Sequence, residues 1–259
     1  MRGRLVWMLA LAALAAAGFA AVAVAGVAPT VVRAGNLVMK IEGGLTPTAL
    51  PKRELAPVTL HVNGELGTAD GSQPPALKEI VLDSDKNAII DARGLPTCRL
   101  SQLQATDTAH AEKACGNAIV GKGKATVRVA FPEQAPFDAV GPLTIFNGGV
   151  RGGVTTMYFH IYVDVPTPTA VVTTLRATPE HKGRYGLHSI AKIPVIAGGA
   201  GSVTNFELTI HRLFAYRGQR QSFLEARCSD EHFAAIATFK FRDGTDLTGA
   251  FTRPCQAKG

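Results

Sequence analysis

Apolar and polar residues alternate with period two along most of the chain. Val58, Leu60 and Val62 alternate with Thr59, His61 and Asn63, and Ala125, Val127, Val129 and Phe131 alternate with polar neighbours. The same rhythm runs through Met157–Val165, Phe206–Ile210 and Thr238–Arg242. Successive side chains of a strand point to opposite faces, so the pattern predicts half-buried strands. Further strands are expected at Leu37–Glu42, Glu79–Asp83, Leu143–Phe146, Ala170–Arg176 and Leu187–Ile196. Pro194 lacks a donor and places the last of these on a sheet edge. Asp243-Gly244 predicts a tight hairpin with both central residues at positive φ. Helix is scarce. The best candidate is Thr106–Cys115, with Thr106 or Asp107 as cap and Gly116 as stop. Parallel strands read as continuous apolar runs, so alternation argues for antiparallel pairing. The expected class is all-β, an antiparallel β-sandwich or packed sheets, with one short helix near 106–115.

The N-terminus breaks the pattern. Arg2 and Arg4 precede an uncharged run from Leu5 to Val32 rich in alanine and glycine. A charged start, an apolar run and small residues around Ala21–Ala25 are the marks of a secretory signal. The expected division is a signal peptide at 1–25, an extended lead-in at 26–56 and a β-sandwich body at 57–259. An uncleaved anchor reaching about residue 32 is the alternative. Both readings export the body, to the cell envelope or beyond, and membrane contact is expected only through the N-terminal segment, if it stays uncleaved. Removing residues 1–25 lowers the formal net charge from +7 to +5, spread along the chain. No aromatic-basic interleaving of the single-strand-binding kind occurs, so no nucleic-acid partner is expected.

Export changes how the four cysteines read. An even number outside the cytosol indicates disulfides, and the absence of close C-x-x-C spacing argues against zinc. Local pairing gives Cys98–Cys115 around the helix and Cys228–Cys255 around a hairpin. Several stretches resemble a group of uncharacterised exported actinobacterial proteins: Gly94–Cys98, Ala114–Gly123, Phe146–Gly148, Ala197–Val203, and the closing stretch from Ala226-Arg227-Cys228 to Arg253-Pro254-Cys255. The resemblance covers about Pro57 to Cys255. It implies export and a β-rich body and carries no activity.

Candidate chemistry is sparse. Asp83, Asp85, Asn87 and Asp91 open like a calcium loop, but Ala88 and Gly94 stand where the turn glycine and bidentate glutamate belong. A polar hairpin turn between Ile80–Leu82 and Ala88–Ile90 is the competing reading. His61, His160 and His211 lie on the more polar strand faces and could hold zinc or copper if their strands were neighbours. Without H-x-H or H-E-x-x-H spacing, solvated or hydrogen-bonded histidines are the simpler reading. The basic stretch His181, Lys182, Arg184 and His188 suits an anionic envelope polymer or lipid headgroup. No nucleophile elbow, metalloprotease helix or phosphate loop occurs, so neither catalytic residues nor a cofactor are assigned. The sequence thus reads as an exported cell-envelope protein with a non-enzymatic structural or binding role. The rival readings are an exported hydrolase without a recognised motif and a metal or small-ligand carrier.

Overall fold

The computed structural model describes residues 28–165 and 167–258. The expected signal segment at 1–25 lies outside the described residues, as does most of the alternative anchor. The expected all-β antiparallel class is what the structure shows, with one short α-helix among the described residues. Twelve strands form the main sheet: β1 (Thr30–Ala34), β2 (Leu37–Thr46), β3 (Thr59–Thr68), β4 (Leu77–Asp85), β5 (Ile119–Val129), β6 (Phe137–Arg151), β7 (Val154–Val163), β8 (Thr169–Lys182), β9 (Tyr185–Lys192), β10 (Gly201–Ile210), β11 (His232–Phe241) and β12 (Asp246–Pro254). Their order across the sheet is β1-β2-β3-β10-β5-β6-β7-β8-β9-β4-β11-β12. Every neighbouring pair is antiparallel.

The strands make one curled sheet where packed sheets were expected. It bends until β1 and β12 meet, giving a near-closed barrel. Bulges where the register shifts, at Ile119/Gly121, Thr156/Met157 and Val203/Asn205, increase the local twist that curling requires. The seam is closed by side chains. Arg253 of β12 donates from Nε to Gly43 O at 2.6 Å, from Nη2 to Ile41 O at 3.2 Å and from Nη1 to Thr30 Oγ1 at 3.2 Å. Gly249 permits the approach, since a Cβ there would fall 2.5 Å from Val32 Cγ2. The expected lead-in thus contains β1 and β2, and residues 30–32 of the apolar run sit in a paired strand.

Apolar side chains point inward. Met39, Leu66, Val127, Val129, Ile145, Phe239 and Leu247 are buried there. The outer face carries charge, including the pairs Lys40–Glu65, Lys124–Glu207 and Lys240–Glu79. This is the reverse of a membrane barrel, whose apolar band faces outward. No helix among the described residues is long and apolar enough to cross a membrane.

One end of the barrel, here called the top, is covered by the segments 86–118 and 211–231. Ala88–Ile90 and Ala56–Pro57 both pair with Leu224–Ala226. Residues 88–90 therefore do not fold back on 80–82 as a hairpin. Helix α1 (Thr108–Cys115) starts at Asp107, which accepts His110 N at 2.8 Å, and ends at Gly116, close to the predicted limits. Both expected disulfides are present, Cys98–Cys115 and Cys228–Cys255, and both brace the top.

Two turn expectations are corrected. At Asp243-Gly244 only Gly244 has positive φ, at 91°. Asp243 Oδ1 accepts Thr245 N at 2.9 Å, and Phe241 N donates to Thr245 O, so the loop has three residues instead of two. Strand β9 is central, between β8 and β4, and not on an edge. It ends at Lys192, so Pro194 lies beyond the ladder and its missing donor costs no pairing.

Candidate functional site

Curling twelve strands leaves more interior than their side chains fill. Eight strands give an interior that side chains fill or that holds one small ligand, and diameter grows with strand number. The barrel accordingly holds a cavity of about 430 Å³. Every strand of the sheet except β1 contributes to its wall. Leu82, Phe159, Leu175, Leu187, Phe206 and Phe251 line it and are only partly buried, because they border empty space. Ile193, Ile196 and Leu77 stand at its lower end, and Ile89, Ile90 and Leu224 cover it from the top.

Polar groups are few and concentrate near the top. Ser189 and Thr173 are exceptions within the wall, and Ser84, Asp85, Glu42, Glu225 and Arg253 lie nearer the rim. Arg253 is committed to the seam. Asp85 is committed as well: it accepts Asn87 N and Ala234 N at 2.9 Å each and pairs with Arg184 at 2.9 Å. Glu225 differs. Burial, reinforced by the nearby Asp91 charge, pushes its carboxyl above the ordinary glutamate value. Asp91 itself is held below its usual range by the Arg93 guanidinium, which forks onto it at 2.9 and 2.7 Å.

The residues of the calcium-like stretch do not converge. Besides the commitments of Asp85 and Asp91, Asn87 Oδ1 accepts from Arg227 Nε at 3.1 Å and its Nδ2 donates to Ser229 Oγ at 2.9 Å. Asp83 faces outward and contacts His188 Nδ1.

The three strand histidines are also apart. His61 on β3 and His211 just after β10 share one outer surface and bond Thr209 Oγ1 and Thr59 Oγ1 at 3.0 and 2.9 Å. His160 sits on β7, three strands beyond β10. It does not face a polar side. It is 0% exposed beneath α1 and its lead-in, with its ring edge-to-face against Phe146. The Thr106 carbonyl 2.7 Å from Nε2 can only accept, so that nitrogen carries the hydrogen.

The basic stretch is partly neutralised. Arg184 pairs with Asp85 and with Asp230 at 2.6 Å, and this ion pair holds the Asp230 carboxyl below its usual range. Sequence reasoning missed the cavity because its wall draws one to five residues from each of eleven strands. The only local signal was the apolar face of each strand, which looks the same whether it meets packed atoms or open space. No family model, curated protein or solved structure matches this chain.

Proposed function

We propose that this protein is an exported, non-enzymatic binder of apolar small molecules, which it encloses inside the barrel. The observation that carries the reading is the cavity of about 430 Å³ with an almost wholly aliphatic and aromatic wall. Ligand pockets are typically about 300–1,000 Å³, mostly apolar, with a few polar groups that set orientation. Burying about 300 Å² of apolar ligand surface would release roughly 7 kcal/mol before the costs of association. The wall offers water few partners, which favours an apolar occupant. Export is supported by the charged start and the uncharged run to Val32. The two disulfides are compatible with an oxidising compartment.

Titration with a fluorescent fatty acid tests the reading. Saturable binding at one site is expected in the wild type. Ala191→Phe, which projects a ring into the cavity, should abolish it while the melting temperature holds. Absence of saturable binding, or binding that Ala191→Phe leaves intact, would overturn the proposal. Mass analysis of protein from its native host should place the mature N-terminus near Val24–Gly26, and a cytosolic protein retaining Met1 would refute export.

A further inference from the structure

The outer face of the barrel carries a second cluster, separate from the cavity. Asp83 of β4, His188 of β9 and Glu180 of β8 come from three adjacent strands. Asp83 and His188 are direct cross-strand partners, and His188 stands opposite Thr178 on its other side. In a regular ladder Glu180 would project two residues further along β8. The register shifts there, between Pro179 and Lys182, and also shifts on β9 between Tyr185 and Leu187. Bulges of this kind re-aim side chains. Here one ligand atom from each of Asp83, Glu180 and His188 lies within 4.8 Å of the other two.

Glu180 is the least exposed of the three. Its side chain is 16% exposed, and its Oε1 is buried with no hydrogen-bond partner among the described residues. Its nearest cation is Lys182, with Nζ 4.0 Å from Oε2. A buried carboxylate oxygen without a partner costs free energy unless something satisfies it. His188 and Asp83 are 34% and 25% exposed, so an ion can reach them from solvent.

We propose that Asp83, Glu180 and His188 form a binding site for a divalent transition-metal ion, with zinc as the best fit. One imidazole and two carboxylates supply three ligands, and water can complete four-coordination. The two carboxylates balance the charge of the ion. Calcium fits less well, because it takes six to eight oxygen ligands and this set holds an imidazole. Zinc would sit between Asp83 and His188, replacing their direct contact, and would give the orphan Glu180 oxygen a partner.

The test uses the mature, disulfide-intact protein and the metal alone. Calorimetric titration with zinc chloride should show one equivalent bound. Cobalt(II) should give the absorption of a low-symmetry site with nitrogen ligation. Glu180→Gln and His188→Ala should each weaken zinc binding by at least the roughly tenfold that loss of an outer-shell partner costs, and His188→Ala should erase the cobalt spectrum. All three side chains lie on the solvent side of formed strands, and circular dichroism checks that the variants stay folded. Double substitution of His61 and His211 by alanine should change nothing. The proposal is overturned if the wild type binds less than half an equivalent. It is also overturned if Glu180→Gln and His188→Ala bind as the wild type does, or if binding is lost in the His61/His211 variant instead.

Discussion

Phe146 and Phe159 lie on neighbouring strands, yet their surroundings are opposite. Phe146 points outward from β6 and is 0% exposed, sealed between the sheet, α1 and the Cys98–Cys115 bridge with Leu103, Ala111 and Ala118. Phe159 points inward from β7 and is only partly buried, because it borders the cavity. In this barrel part of the outside is densely packed and part of the inside is open. Stability should therefore concentrate under the helix, and capacity for a ligand within the wall.

The largest expected effect is on Phe146. Phe146→Ala should cost about 3–5 kcal/mol in chemical denaturation, the usual range for a fully buried phenylalanine. Phe159→Ala should cost only about 1–2 kcal/mol, since its neighbours already border a void and less packing is lost. Equal costs would mean that the interior is as tightly packed as the helix-covered patch. Next comes the bridge that holds that patch. Replacing Cys98 and Cys115 together by serine should remove about 3 kcal/mol by the chain-entropy relation for a 17-residue separation.

Smaller effects come from adding atoms. Ala111→Phe should destabilise by about 1–3 kcal/mol, because the helix–sheet contact has no room for a ring. Ala191→Phe should cost less, because its side chain enters the cavity. A reversal of that order in thermal melts would place the free space under the helix. The smallest effect concerns Glu225 over the cavity. Its carboxyl is raised above 4.5 in the fold by burial and the Asp91 charge, so the folded state holds this proton more tightly than the unfolded chain. Stability must then fall as pH rises from about 4.5 through the folded value. Glu225→Gln should gain on the wild type at neutral pH and show no gain well below pH 4. A constant difference across that range would mean that the carboxyl is solvated.

Most strands were legible because each buries one face, and β3, β5, β7, β10 and β11 fall where the alternation places them. The helix was legible from Asp107 and Gly116, and the disulfides from local spacing. Closure was not legible. Alternation says that Leu175 and Ile161 face something apolar, but not whether this is a second sheet or the far side of the same one. The fate of His160 was hidden for a similar reason: its polar-face position says nothing of a helix lying across it. Asp83 stands out in sequence for its acidic neighbours, whereas the residues that approach it, Glu180 and His188, come from two other strands.

The seam has a bearing on how the protein behaves among its own copies. An open sheet ends in two rows of unpaired backbone groups, and each can template the addition of another chain. Here the two ends face one another, and Arg253 occupies the carbonyls of Ile41 and Gly43 that a foreign strand would seek. Beyond β12 the chain continues into Gln256–Lys258, which runs parallel to Ala49–Pro51 and occupies that stretch as well. Resistance to edge-to-edge aggregation thus rests on one guanidinium and a short C-terminal strand, without the full ladder by which closed barrels remove their edges.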